Sequence, residues 1–163
     1  MTVRGVPSTR VDQFKEALSR WASGVTVVTT ADGGRDPHGF TATSFTAASL
    51  APPMVLVCLD RSAACLPAFL RSDWLAVHLL RRAQQPLAER FARKGTDKFA
   101  GLRTRSGLGG VPLLDGALAV LECGVAGRFD AGDHVVLLAE VRRSATDDGE
   151  PLLHHRRGFR GLD

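Results

Sequence analysis

The sequence has few cysteines and no long apolar run, and each absence excludes a class of protein. Its three cysteines, Cys58, Cys65 and Cys123, form no Cys-x-x-Cys pair, which argues against a disulfide framework and against a zinc site. No apolar run reaches the roughly 18 residues that a membrane-spanning helix requires. The first residues lack the apolar core of a signal peptide, so we expect a cytoplasmic protein with no membrane partner.

The sequence also lacks the common catalytic and nucleotide-binding motifs. The glycines at 107–110 have the wrong spacing and context for the Gly-x-Gly-x-x-Gly turn of a Rossmann domain. We find no phosphate-binding P-loop, no Gly-x-Ser-x-Gly nucleophile elbow and no His-Glu-x-x-His metal helix. His154 and His155 are adjacent, so on a strand they point to opposite faces and do not easily share a metal. We therefore predict no metal and no catalytic residue of the nucleophile or general-base type.

Length, composition and charge indicate one globular domain over residues 1–163. The chain has 44% hydrophobic and 23% charged residues, which suits a single hydrophobic core. Its net charge is +4, but the basic residues are scattered apart from three arginine pairs, and no aromatic residues interleave with them. This pattern argues against a nucleic-acid partner. Scattered arginines suit anionic small molecules, such as the phosphates of a dinucleotide, better.

Hydrophobic periodicity predicts a mainly β protein with peripheral helices. Residues 1–10 are expected to form a loose N-terminal arm. Helices are predicted from Val11 to a stop at Gly24, over 63–71 and over 83–93. Strands are predicted over 25–30, 54–60, 74–80, 117–129, 134–145 and 151–155, and 39–49 is predicted as a further extended stretch. Residues 95–116 are predicted as a long loop of the kind that often carries function. Asp130–Asp133 reads as a hairpin turn. Together these elements predict an antiparallel β-barrel with helices packed outside it.

The most informative stretch is 38–53, where small and hydroxyl side chains occupy a predicted strand. The hydroxyl groups come from Thr41, Thr43, Ser44, Thr46 and Ser49, and the space comes from Gly39, Ala42, Ala47 and Ala48. A planar heteroaromatic ligand requires both, because hydroxyls satisfy its polar edge and small residues let the backbone approach its flat face. An ordinary Thr/Ser-rich strand with one wet face is the alternative interpretation.

Five segments, in order, resemble the short-chain flavin reductases, whose fold is the FMN-binding split barrel. This family includes the reductase components of two-component flavin-dependent monooxygenases. The segments are FKEALSRWASGVTVVTT (14–30), GFTATSFTAASLAPPMVLVCLDRSA (39–63), FARKGTDKFAGL (91–102), AGDHVVLLAEV (131–141) and PLLHHRRGF (151–159). The last one departs from the usual YHRGRY pattern, because Gly158 and the preceding arginine have exchanged order. That exchange puts the local turn in doubt.

The resemblance implies a role for each matching position. Four residues would line the isoalloxazine ring: Thr41, Ala42, Thr43 and Ser44. Cys58, Leu59 and Asp60 would reach the ribityl chain, while Arg61, Ser62 and Ala64 would meet the phosphate. Lys98 and Phe99 would lie beside the flavin. His134, His155 and Arg156 would contact the nicotinamide nucleotide.

The resemblance also implies the activity and the partners. The chain would transfer a hydride from NADH or NADPH to FMN or FAD, and it would supply reduced flavin to a partner monooxygenase. A homodimer is the expected assembly. Two alternatives are a pyridoxamine-phosphate-oxidase-like enzyme on the same barrel and a non-catalytic flavin-binding protein. The sequence selects neither between the two flavins nor between the two nucleotides.

Overall fold

The computed structural model describes residues 8–33 and 35–163, so most of the predicted N-terminal arm lies outside the described residues. The elements are α1 (Ser8–Ser19), β1 (Ser23–Gly24), β2 (Thr26–Asp32), β3 (Asp36–Ala42), β4 (Thr46–Leu50), β5 (Pro53–Asp60), α2 (Leu66–Arg71), β6 (Trp74–Leu79), α3 (Gln85–Ala92), β7 (Thr104–Ser106), β8 (Pro112–Leu114), β9 (Ala119–Ala131), β10 (His134–Thr146), β11 (Leu153–His155) and β12 (Gly158–Arg160). Single 3-10 turns lie at Arg82–Gln84 and Leu108–Gly110. The predicted fold class, mainly antiparallel β with peripheral helices, is confirmed.

Seven strands form the main sheet, in the order β3-β2-β6-β9-β10-β5-β4. Consecutive strands β3 and β4 lie at opposite ends of this order, yet only Thr43–Phe45 separate them in the chain. So short a link requires the sheet to curl until its two outer strands approach each other. These strands do not pair with each other, so the barrel stays split. The prediction of one extended stretch over 39–49 is therefore wrong, because the chain crosses the split inside it.

Strand alternation builds the core inside the curled sheet. In β5, Val55, Val57 and Leu59 point inward, and in the paired strand β10 the inward residues include Val135 and Leu137. These side chains are at most 6% exposed, as expected where alternate residues face one core. A second buried cluster lies under α3, and together the two clusters cover both faces of β2.

The predicted loop over 95–116 divides into two parts with different roles. Its second part is held to the sheet by buried hydrogen bonds. Thr29 Oγ1 donates to Pro112 O at 2.7 Å, and His78 Nε2 accepts the Leu114 N–H at 3.0 Å. A side chain at Gly109, where φ is +65°, would overlap Trp74. This part is structural, whereas the first part, near Lys98, lies beside the cleft described below.

The two ends of the chain are joined by a small three-stranded sheet. Gly24 was expected to end α1, but it lies in β1 and pairs with Leu153 of β11. The strand predicted over 151–155 is shorter and folds back onto β12. The turn between them uses Arg156 and Arg157 at φ of 50° and 62°, a left-handed conformation that glycine adopts most easily. The hairpin turn therefore forms although arginine occupies both central positions.

Candidate functional site

A cleft of about 700 Å³ opens near the split in the barrel. Its walls are residues 37–44 from β3 and the crossing link, 58–60 from the end of β5, 62–65 before α2, 91–99 after α3, and His134 at the start of β10. A volume of this size is typical of a small-molecule site. The curled topology brings these distant segments together.

Most of the predicted site residues line this cleft. They are Thr41, Ala42, Thr43, Ser44, Cys58, Leu59, Asp60, Ser62, Ala64, Lys98, Phe99 and His134. Three predicted residues, Arg61, His155 and Arg156, do not line it. Their positions are described separately below.

Two of the predicted hydroxyl groups are already bonded within the protein. Thr41 Oγ1 donates to Ala88 O of α3 at 2.6 Å. Ser44 Oγ donates to Cys58 O at 3.0 Å and accepts the Cys58 N–H at 3.1 Å, so it extends the pairing of β5 into the link. The hydroxyls of Thr41 and Ser44 therefore hold the wall in place. Thr43, which is exposed, has no side-chain hydrogen bond among the described residues and can donate into the cleft.

The segment after α3 is fastened at its far end by two side chains. The Phe99 ring meets the buried Phe91 ring edge-on at 5.0 Å, and Lys98 Nζ donates to Gly39 O at 3.2 Å. Glycine is required at 39, because a Cβ there would lie 2.7 Å from the Phe91 ring. Burial lowers the pKa of Lys98. Residues 93–97 thus form an exposed arc over one side of the cleft.

The turn after β5 presents backbone donors. The Asp60 carboxylate accepts the Ser62 N–H at 2.7 Å, and hydrogen bonds from Ser62 lower the pKa of Asp60, with His134 and Lys94 adding a smaller effect. The Ala63 N–H donates to Asp60 O at 3.0 Å, but the amide N–H groups of the following Ala64 and Cys65 have no backbone acceptor among the described residues. Free N–H groups of this kind bind anions.

Arg61 turns away from the cleft. Its guanidinium pairs with Asp130 and donates to Gly132 O at 3.2 Å, and its backbone N–H donates to Asp133 O at 2.9 Å. Arg61 therefore fastens the turn of the β9–β10 hairpin.

His134 lies at the rim, opposite Asp60 in the pairing of β10 with β5. Its Nδ1 is 2.7 Å from Asp133 Oδ1. With a proton on Nδ1 donated to that carboxylate, Nε2 is the ring nitrogen left for a ligand.

The C-terminal hairpin lies against α1. The Arg156 N–H donates to Ser19 O at 2.8 Å, and Arg156 lines a separate cavity of about 120 Å³ with Arg157 and residues of α1. His155, in β11, pairs with Gly158. Neither side chain lines the cleft.

Sequence reasoning missed several residues that line the cleft. They include His38, Cys65, Phe91, Arg93 and Lys94. Phe91, Arg93 and Lys94 lie in the segment FARKGTDKFAGL, which resembles the flavin reductases as a whole. That resemblance could have indicated all three, but only Lys98 and Phe99 of the segment were predicted as site residues. His38 and Cys65 flank selected residues, and only the tertiary arrangement turns them toward the cleft.

Two absences apply to the described ranges. No helix there is both long and apolar enough to span a bilayer. Residues 8–33 and 35–163 also contain no cluster of three or more His, Cys, Asp or Glu side chains placed to hold a metal.

The split barrel encloses a cleft of small side chains, free amides and lysines, which has room and donors for a flat, anionic molecule. Comparison with known proteins identifies the family. The flavin reductase like domain matches residues 18–163. The chain belongs to this family, which confirms the resemblance found in the sequence.

Individual relatives match the chain over most of its length. The chain is 45% identical over 150 residues to the actinorhodin polyketide dimerase of Streptomyces coelicolor, covering 91% of this chain and 85% of that protein. It is 36% identical over 152 residues to the flavin-dependent monooxygenase reductase subunit HsaB of Rhodococcus jostii, covering 93% and 77%. Some matched proteins are longer, and the chain spans 47% of one curated relative and 51% of one crystallised chain.

A solved structure shares the fold over almost its whole length. The NADH:FAD oxidoreductase SgcE6 of Streptomyces globisporus, crystallised with NAD and FAD fragments, superposes with a TM-score of 0.89 at 34% identity. The match covers 99% of this chain and 98% of that one. The oxidoreductase class predicted from the sequence is thereby confirmed.

Proposed function

We propose that this chain is an NAD(P)H:flavin oxidoreductase that reduces FMN or FAD in the cleft at the split of the barrel. The cleft itself is the observation that carries the proposal, because it combines small side chains, free amides and lysines within about 700 Å³. Membership of the flavin reductase family supports the same conclusion. It favours a reductase over a pyridoxamine-phosphate-oxidase-like enzyme and over a non-catalytic flavin-binding protein.

The residues present fit a flavin. The wall formed by Ala42, Thr43 and Ser44 has no bulky side chain, so a flat ring system can approach the backbone. The amides of Ala64 and Cys65 suit a phosphate group. The predicted roles thus stay as proposals: Thr41–Ser44 for the ring, Cys58–Asp60 for the ribityl chain, and Arg61, Ser62 and Ala64 for the phosphate, although Arg61 does not line the cleft.

A bound flavin would supply the hydride acceptor, and the protein would supply binding and orientation. His134, fixed by Asp133, is proposed to bind the nicotinamide nucleotide through Nε2. Phe91 and Phe99 pack edge-on at one side of the cleft and present apolar surface there. A role for His155 and Arg156 in nucleotide binding is retained as a prediction, although they lie outside this cleft.

The test is steady-state oxidation of NADH and NADPH at 340 nm with added FMN, FAD or riboflavin. We expect flavin-dependent turnover by the wild type. Ser44→Leu should abolish flavin binding by filling the cleft, whereas Ser44→Ala, which removes only the bonds to Cys58, should retain most of it. Tight flavin binding without nucleotide oxidation would contradict the proposal.

We also propose a homodimer and a flavin-dependent monooxygenase as recipient of the reduced flavin. Support for a dimer comes from an exposed apolar surface formed by two residues of α1 and by Trp21, which lies two positions beyond the end of that helix. Phe14, Leu18 and Trp21 there are 61%, 54% and 74% exposed. A contiguous exposed apolar patch of this kind is typical of a protein interface. The relative HsaB, a reductase subunit by name, supports the monooxygenase recipient.

A further inference from the structure

The turn that precedes His134 in the β9–β10 hairpin has no side chain packed into the core. Its tip is formed by Gly132 and Asp133, between the paired residues Ala131 and His134. All four residues from Asp130 to Asp133 are exposed, and a Cβ at Gly132 would meet nothing within 4 Å. The position of this turn relative to the cleft therefore depends on hydrogen bonds.

Hydrogen bonds from Arg61 join this turn to the end of β5. The backbone N–H of Arg61 donates to Asp133 O at 2.9 Å. In its side chain, Nε donates to Gly132 O at 3.2 Å, and the guanidinium pairs with the Asp130 carboxylate. In the part of the chain that the structure describes, no other residue outside the hairpin forms a hydrogen bond with residues 130–133. Any residue could supply the backbone bond, so the two side-chain contacts are the specific contribution of arginine.

The same turn orients the ring of His134. Asp133 Oδ1 lies 2.7 Å from His134 Nδ1, so the carboxylate that fixes the ring belongs to the residue whose carbonyl Arg61 holds. His134 lines the cleft, whereas Arg61 does not. A shift of the turn would move Asp133 and misplace the imidazole, and a small misplacement of a binding group is enough to weaken its contact with a ligand.

We propose that Arg61 is a positioning residue for the nicotinamide nucleotide, because it holds the turn that orients His134. This inference rests on the proposed function and on the role proposed there for His134. The guanidinium is occupied by the turn, so the positioning role replaces the phosphate contact that the resemblance implies for Arg61.

The experiment measures steady-state kinetics with NADH and FMN for the wild type, Arg61→Gln, His134→Ala and the double variant. Arg61→Gln should raise the KM for NADH about three- to fivefold, as expected for loss of an exposed ion pair and a hydrogen bond, with kcat little changed. In the His134→Ala background, Arg61→Gln should raise the KM no further, because the residue through which it acts is missing.

Two variants and a titration serve as controls. Arg61→Lys keeps a charge that can pair with Asp130, so its KM should lie between those of the wild type and Arg61→Gln. Arg105→Gln breaks a comparable exposed pair, with Asp115 at 3.1 Å, and should leave the kinetics unchanged because neither residue lines the cleft. Fluorescence titration of Arg61→Gln should give the wild-type dissociation constants for FMN and for riboflavin, which also shows that the variant is folded.

Three results would overturn the inference. The first is an unchanged KM for NADH in Arg61→Gln. The second is an equal rise in KM with and without His134, which would mean that Arg61 acts by a separate route. The third is weaker binding of FMN but not of riboflavin by Arg61→Gln, which would return Arg61 to the phosphate. Failure of the proposed function looks different, because the wild type would then oxidise neither NADH nor NADPH with added flavin.

Discussion

His134 and Asp133 form a hydrogen-bonded pair at the rim of the cleft, where His134 is proposed to bind the nicotinamide nucleotide. The 2.7 Å contact between Nδ1 and the Asp133 carboxylate fixes the ring, while the wall proposed to face the flavin lies in other segments. His134→Ala should raise the KM for NADH about tenfold, the equivalent of one lost hydrogen bond. The dissociation constant of the flavin should change little. Steady-state kinetics and flavin titration measure the two effects, and a collapse of flavin binding would show that His134 is part of the flavin site.

His78 makes the stability of the fold depend on pH. The ring is fully buried, with Nδ1 donating to Val27 O at 3.0 Å and Nε2 accepting from Leu114 N–H, so it is held neutral. Burial lowers the pKa of His78 to about 4. Since the unfolded histidine binds a proton near pH 6.5, stability is full above that pH and decreases as the pH falls toward 4.

The expected loss from this residue is about 3 kcal/mol of unfolding free energy between pH 6.5 and pH 4. Denaturant unfolding at several pH values measures it. His78→Gln is the control, because glutamine can donate and accept but does not titrate. If the unfolding free energies of the wild type and His78→Gln decrease in parallel as the pH falls, His78 does not cause the pH dependence.

The β11–β12 hairpin carries backbone strain at the element scale. Arg157 has φ of 62°, which a residue with a side chain adopts at a cost of about 1 kcal/mol. Its side chain makes only an exposed contact with Glu16 at 3.4 Å. Arg157→Gly should therefore raise the free energy of unfolding by about 1 kcal/mol. Denaturant unfolding measures the gain.

Arg157→Ala separates the two contributions. It removes the same side-chain contact but keeps a Cβ in the left-handed conformation, so no gain in stability is expected. Equal gains in the free energy of unfolding for both variants would mean that the Arg157 side chain, and not its left-handed backbone, destabilises the fold.

The elements also show where sequence patterns lose information. Strands β5, β6 and β10 were predicted within a residue or so, because their apolar residues alternate or run together. The break between β3 and β4 was missed, because small and hydroxyl residues continue through it. Only the order of strands in the sheet requires the chain to leave one edge at Ala42 and join the other at Thr46.

At the scale of the whole molecule, the exposed surface on α1 should govern assembly. Phe14→Ser combined with Trp21→Ser should convert the proposed dimer into a monomer of 17.4 kDa. Removing two large apolar side chains from an interface costs several kcal/mol of association, about 1.5 to 3 kcal/mol each. Sedimentation measures the mass. Leu70→Ser, which removes a separate exposed apolar side chain, should leave the assembly unchanged. A monomeric wild type would contradict the proposal.

The sequence by itself determined the family, the strand-rich fold and most of the cleft. These follow from local patterns, since the residues of 41–44, 58–60 and 98–99 lie in continuous segments whose order matches the flavin reductases. The tertiary structure alone decided which charges line the cleft. Arg61 and Lys98 look alike as isolated cations, and only the curl of the sheet pairs Arg61 with Asp130 while Lys98 donates to Gly39 O in the wall of the cleft. Charge pairing depends on contacts between segments far apart in the chain, and local patterns do not encode these contacts.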